Sequence, residues 1–313
     1  MRPKPMPWTT ASIPDQTGRI ALITGANSGL GLESARALAA RGATVVLACR
    51  SRRRGEEARA ELLPIAAAGL EVLELDLADL ASVRAGARWM QEQYGRLDLL
   101  LNNAGVMGPP RQLSRDGFEL QFGTNHLGHF ALTTALLPLM EGRADARVVT
   151  VTSGAQYFGK LAFDDLQAER RYDRWAAYSQ SKLANVTFAL ELQQRLAAAG
   201  STVSSLAAHP GLARTNLQPA SVASSGSRFE SLAYRLMDPL FQSAAMGALP
   251  QLYAATAPEA RGGEHYGPDQ WGGMRGGPTQ VRIATAALDP QIRQQLWEVS
   301  EQLVGQALPA KAP

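Results

Sequence analysis

Tyr178 and Lys182 stand four residues apart in the segment AAYSQSKLAN, residues 176–185. On a helix that spacing sends both side chains from one face, a turn apart. A lone tyrosine is a weak proton donor at neutral pH, its reference pKa being about 10. An ammonium beside it favours the phenolate and brings the proton into the range of general acid–base chemistry. Lysine is rare in this chain: only Lys4, Lys160, Lys182 and Lys311 occur, among 31 lysines and arginines together. The same spacing also decorates ordinary exposed helices, so the pair takes its meaning from what surrounds it.

Stepping along the chain, residues 19–24 (RIALIT) read as a short strand that runs into GANSGLG at 25–31 and then into an apolar helical segment over 32–40. Strand, glycine turn and helix present unpaired backbone N–H groups to a phosphate. Glycine permits both the tight turn and the close approach. The spacing is G-x-x-x-G-x-G rather than G-x-G-x-x-G, and glycine clusters also serve packing alone. Strands over 43–49, 70–75, 97–101, 147–152 and 202–208 then alternate with helices over 52–68, 80–94, 117–139 and 176–199. This predicts an α/β fold, a doubly wound and mainly parallel sheet of the Rossmann type with helices on both faces. Ligands of such sheets bind outside the carboxyl ends of the strands. Those ends hold the glycine turn, Cys49-Arg50, Asp76-Leu77, the Asn-Asn-Ala-Gly run 102–105, Ser153 and Pro210-Gly211. Motifs scattered along the chain therefore converge on one edge.

At 313 residues and 45% hydrophobic content the chain has ample material for a core. It reads as one dinucleotide-binding catalytic domain over 1–313, with an N-terminal arm at 1–17 and a helical insertion at 212–275 on the substrate side. A net charge of +3 gives no reason to expect a nucleic-acid partner. Cys49 is the single cysteine, which excludes an intrachain disulfide and a thiolate cluster. The four histidines lack ligand spacing, so no metal is expected; His126 and His129 read as structural or substrate-side. No signal-peptide core stands at the N-terminus, and the apolar stretch 127–140 is too short to span a bilayer. These features predict a soluble, cytoplasmic protein without a transmembrane segment.

With its motifs placed, the chain resembles the short-chain dehydrogenase/reductase family over roughly residues 18–215. The family's glycine motif falls on Thr24–Gly31, which implies cofactor contacts from Gly25, Asn27, Ser28, Gly29, Leu30 and Gly31. Asp76, Leu77, Asn103, Ala104 and Gly105 would line the adenine side, and Pro210, Gly211 and Thr215 the nicotinamide amide. The active-site quartet falls on Asn125, Ser153, Tyr178 and Lys182. By resemblance, Tyr178 is general acid or base, and Lys182 lowers its pKa and binds the nicotinamide ribose. Ser153 donates to the substrate oxygen, and Asn125 holds a water that links Lys182 to solvent. TGANSGLG, LACR, TNHLGHF and YSQSKLAN further resemble the retinol-dehydrogenase-like subgroup, whose substrates are lipophilic alcohols and carbonyls. Many animal members of that subgroup carry an N-terminal membrane anchor that is not seen here.

Arg50 decides the expected cofactor. A carboxylate at the end of the second strand would bind the adenosine ribose hydroxyls and select NAD(H), whereas an arginine accommodates a 2′-phosphate. The sequence Cys49-Arg50-Ser51-Arg52 holds no acid, so NADP(H) is expected over NAD(H). On the substrate side, apolar residues from Phe229 to Phe241 recur at helical spacing, as core or as a lid over a greasy substrate. The glycine-rich run 262–277, with Tyr266 and Trp271, is expected to form the other wall, and 288–303 a final amphipathic helix. The partner expected is a lipophilic small molecule; the family resemblance adds a homodimer as an option, since helices near 117–139 and 176–199 form a dimer face in many relatives, and the sequence leaves the oligomeric state open. The competing reading is a catalytically idle NADP(H)-binding sensor or scaffold on the same fold.

Overall fold

Alternating apolar and turn segments build a single sheet of eight strands in the order β3-β2-β1-β4-β5-β6-β7-β8. The computed structural model describes residues 7–214 and 241–306. Thr215 and the apolar stripe from Phe229 lie outside them, apart from Phe241, which is buried. The strands are β1 (Ile20–Thr24), β2 (Thr44–Cys49), β3 (Leu70–Glu74), β4 (Leu99–Asn102), β5 (Arg147–Val151), β6 (Ser204–Ala208), β7 (His265–Gln270) and β8 (Arg275–Gln280). All pairings are parallel except the last, β7 with β8. The central strands β1, β4 and β5 are buried along their whole length, as a parallel sheet covered on both faces requires.

Side chains alternate between two cores. Leu22, Val46, Leu100 and Val148 face α3 (Leu80–Tyr94), α5 (Gly128–Met140), α6 (Arg174–Ala198) and α9 (Pro290–Val304). Ile23, Val45, Leu101 and Val149 face α1 (Gly29–Ala40), α2 (Arg52–Leu62) and α7 (Ala244–Thr256). Strand order reverses between β1 and β4, which opens a crevice at their carboxyl ends.

Three differences from the sequence pattern have local causes. Helix α2 stops at Leu62 and a 3-10 turn, Leu63–Ile65, follows, because Pro64 has no N–H to continue the ladder. The helical stretch expected over 117–139 is composite: a short turn, α4 (Leu120–Phe122), then a π-helical turn (Gly123–Leu127), then α5. The run 262–277, expected as a pocket wall, is a sheet-edge hairpin of β7 and β8. Its Tyr266 is buried in the α1–α7 core, and Trp271 stands exposed at the tip. Pro268 lies opposite Pro278 in that hairpin, which only an edge position tolerates.

Helix α9 covers the opposite face from α7. Asp289 caps it, Pro290 opens it, and Gly305 closes it in the left-handed conformation at φ 64°. Its anchor is Trp297, buried between Phe130 and Phe188 at ring separations of 4.9 and 5.9 Å. A four-residue helix, α8 (Thr285–Leu288), precedes it.

Candidate active site

Helix α6 starts at Asp173, whose carboxylate accepts from the amides of Trp175 and Ala176. Tyr178 and Lys182 then leave its sheet-facing side, and both are buried. Ser153 follows β5 and does two jobs. Its Oγ accepts from Ala155 N at 3.2 Å, capping the 3-10 turn Gly154–Phe158, and its side chain acts on Tyr178 to favour the phenolate. The capping role that serines play after strands is therefore present, and Ser153 also bears on Tyr178.

Burial sets the electrostatics. It raises the Tyr178 phenol above its ordinary value, and the Ser153 side chain pulls the other way. Lys182 is pushed down to about 8 by the same loss of solvent. Its Nζ donates to Val151 O at 3.3 Å and lies 5.8 Å from the centre of the Tyr178 ring. The expected lowering of Tyr178 by Lys182 is not seen in this geometry: burial raises the phenol, and the Lys182 ammonium is aimed at the Val151 carbonyl. Downward pull comes from Ser153.

Asn125 lies in the π-turn and is fully buried. Its Oδ1 accepts from Val106 N at 2.8 Å, and its Nδ2 donates to Val106 O and to Ser181 Oγ, each at 2.9 Å. The side-chain amide is therefore a brace between the 103–106 loop and α6. Both of its hydrogens are taken, and a second lone pair on Oδ1 is the part of the amide open to the expected water. Gly105 closes the group: a Cβ there would stand 3.1 Å from Asn125 Oδ1 and 3.4 Å from Lys182 Nζ.

Across the crevice, Gly25 turns with φ 66°, a conformation that favours glycine. A Cβ on Gly31 would overlap Gly25 O and crowd Asn103 Nδ2, so only glycine lets α1 start this close to the turn. Leu30 is buried and packs against Gly247 of α7. Asn103 holds its loop to β1: its N–H donates to Thr24 Oγ1 at 2.9 Å and its Nδ2 to Thr24 O at 2.8 Å. Ala104 N donates to the same hydroxyl at 3.0 Å. Asp76 Oδ1 accepts from Ala78 N, and Leu77 is buried with its carbonyl against Gly128. Pro210 O accepts from Gln242 Nε2, and Gly211 lies under the Met274 carbonyl of the hairpin. The turn, Asn103–Gly105, Ser153 and Pro210-Gly211 follow β1, β4, β5 and β6, so they share the carboxyl edge of the sheet.

The chain matches the short chain dehydrogenase family over residues 19–225. The chain belongs to the short-chain dehydrogenase family. It is 40% identical to human retinol dehydrogenase 14, with 92% of this chain and 87% of that one covered. Identity to human retinol dehydrogenase 12 is also 40%, again over 92% and 87%. A crystal structure of an uncharacterised protein from Mycobacterium paratuberculosis superposes with a TM-score of 0.81 at 44% identity, covering 97% of this chain and all of that one. This short-chain dehydrogenase is accordingly an oxidoreductase acting on alcohols or carbonyls.

A nicotinamide dinucleotide fits the residues present. Helices α2, α3, α6, α7 and α9 all carry a side-chain cap, from Ser51, Asp79, Asp173, Ser243 and Asp289. Ser28 at the start of α1 makes no such bond, and no acidic residue enters the first turn. Those amides and the positive end of the helix are left to an anion. Arg50 is exposed at the end of β2 and has no ion-pair partner among the described residues. Three residues of this crevice escaped the motif reading: Thr24 as hub of the 103–104 loop, Ser181, and Gln251 of α7. Gln251 Nε2 donates to Ser34 Oγ at 2.7 Å and to Asn103 Oδ1 at 3.2 Å. His126 is structural, buried with Nε2 at 2.8 Å from Ser300 Oγ. No helix among the described residues is long and apolar enough to cross a membrane.

Proposed function

We propose that this enzyme interconverts a lipophilic alcohol and its carbonyl, using NADP(H), with Tyr178 as the proton donor and acceptor. The observation that carries the reading is the burial of Tyr178 and Lys182 one helical turn apart on α6, with Ser153 at the end of β5 favouring the phenolate. Bound nicotinamide would supply or accept the hydride. Gly25, Asn27, Ser28, Gly29, Leu30 and Gly31 would hold the pyrophosphate, Asp76, Leu77 and Asn103–Gly105 the adenine side, and Pro210, Gly211 and Thr215 the amide.

In the reduction direction Tyr178 gives its hydroxyl proton to the substrate oxygen, and in oxidation it takes that proton back. Ser153 donates to the same oxygen and steadies the negative charge that develops there. Lys182 contributes its charge close to the ribose side, because Gly105 leaves room for Nζ. Asn125 keeps the 103–106 loop and α6 at fixed separation, which holds these groups in register. NADP(H) rather than NAD(H) is supported by Arg50, a fork of donors suited to a 2′-phosphate. The lipophilic substrate class is supported by the relatives named retinol dehydrogenases.

The test is nicotinamide absorbance with a panel of long-chain aldehydes, retinoids and steroid ketones, using NADPH and NADH in parallel. Tyr178→Phe is expected to lower turnover by roughly 10³-fold while NADPH affinity stays near that of the wild type. An unchanged rate in that variant removes Tyr178 from the chemistry.

A further inference from the structure

His129 lies at the first turn of α5, four residues beyond Asn125, and is fully buried. Its ring reaches two partners on different elements. Nε2 is 2.9 Å from Thr24 Oγ1 at the end of β1, and Nδ1 is 3.0 Å from the backbone carbonyl of Asn125. The proton inventory of Thr24 settles the tautomer. Its hydroxyl oxygen already accepts from Asn103 N and Ala104 N, which uses both lone pairs. The hydroxyl hydrogen has two acceptors in reach, Leu101 O at 3.3 Å and His129 Nε2 at 2.9 Å, and the imidazole is the nearer. Nε2 therefore accepts, and Nδ1 carries the hydrogen that it donates to Asn125 O.

The bonds continue on both sides. Asn125 Nδ2 donates to Ser181 Oγ, whose hydroxyl donates to the Tyr178 carbonyl at 2.8 Å. On the other side, Asn103 and Ala104 hang from Thr24, so one imidazole joins the loop that lines the cofactor crevice to the helix that carries the acid–base pair.

We propose that His129 is a positioning residue for hydride transfer, tying the Asn125 π-turn beside Lys182 to the Thr24–Asn103–Ala104 knot. This rests on the functional reading above. The two contacts have separable duties: the Nε2 side shapes the cofactor loop, and the Nδ1 side holds the catalytic helix through Asn125.

The experiment compares His129→Phe, His129→Asn and His129→Gln with the wild type. Phenylalanine keeps the ring volume and removes both contacts. Asparagine places an amide near the former Nδ1, and glutamine places one near the former Nε2. Dissociation constants are read by fluorescence with whichever reduced nicotinamide the wild type binds, and kcat and KM with the best carbonyl substrate. Losing one hydrogen bond of about 1 kcal/mol predicts a dissociation constant raised roughly five- to tenfold in His129→Phe. A displaced acid–base pair lowers kcat by about ten- to a hundredfold, with carbonyl KM changing little. His129→Asn is expected to recover kcat and leave the weakened cofactor binding. His129→Gln is expected to do the reverse.

Hydrogen exchange at the Asn103 and Ala104 amides in the cofactor-free protein gives a third readout. It is expected to accelerate in His129→Phe and to return to the wild-type rate in His129→Gln. Unchanged kcat, affinity and exchange across the series overturn the proposal. So does a loss that simply tracks melting temperature in all three variants, which marks a purely structural histidine. A wild type that binds the dinucleotide and turns over no carbonyl defeats the functional reading alone, and exchange and affinity still test the tie.

Discussion

At the start of α1, Ser28 makes no cap bond and no acid enters the first turn. At the start of α6, Asp173 takes the amides of Trp175 and Ala176. The two helix ends share the carboxyl edge of the sheet and prepare for charge differently. The α1 end leaves backbone donors unspent, so its chemistry lies in the main chain and is indifferent to pH. The α6 end is closed, and its chemistry begins a turn later in two buried side chains whose proton affinities burial has moved. In the proposed reaction an anion would dock where glycine exposes the backbone, while proton transfer would be kept where water is excluded.

Substitutions on either side break this contrast by different amounts. Next in size to Tyr178→Phe, Ser153→Ala removes both the proposed donor to the substrate oxygen and the side chain that pulls Tyr178 downward. A fall in kcat of about 10²- to 10³-fold is expected in steady-state assays. Its pH profile for reduction should also move alkaline, since burial then acts on the phenol unopposed.

Lys182→Met tests the electrostatic side through stability. The folded-state value near 8 lies below the ordinary 10.5, so the unfolded chain holds the extra proton between those two pH values. Wild-type stability should then rise as pH increases from about 8 to about 10.5, and the full burial penalty is present below 8. In denaturant titrations of the cofactor-free protein, Lys182→Met should be more stable at pH 7, by an amount on the order of 2 kcal/mol, and should lose the alkaline rise. Its catalytic rate should fall.

Effects on the α1 side are smaller and concern binding. Arg50→Asp replaces a charge-assisted phosphate contact with repulsion. NADPH affinity should drop by roughly ten- to a hundredfold, with NADH the better cofactor in titrations of both. Ser28→Asp gives α1 the cap it lacks and should raise cofactor-free stability by about 0.5–1 kcal/mol while weakening dinucleotide binding. An added cap that leaves binding untouched would show that these amides are not an anion site.

Much of this was legible in the chain. Apolar runs such as those of β1 and β4, and the β-branched run of β5, announce buried parallel strands, and glycine, Asp76, Asn103, Ser153 and Pro210 mark where each one ends. The hairpin was harder to see. His-Tyr-Gly-Pro-Asp-Gln and Arg-Gly-Gly-Pro-Thr-Gln lack the branched and apolar residues that signal strands, and they form strands because β6 offers an edge. Helix α7 is alanine-rich with Pro250 inside it. Its place is decided by Gly247, which lets it approach Leu30 and Ala213. The π-turn likewise has no periodic signature.

By itself the sequence determined the order of the first six strands and their helices and the sheet edge where the motif residues gather, and it named Ser153, Tyr178 and Lys182 as candidates. Each of these is a matter of local spacing, which periodicity and turn chemistry express directly. Tertiary structure alone decided the direction of the Tyr178 and Lys182 proton affinities and the partners of Asn125. It also decided that Thr24 and His129, 105 positions apart, meet at one hydroxyl. Solvent exclusion and long-range hydrogen bonds depend on what the rest of the chain packs against a residue, and no window of neighbouring letters contains that information.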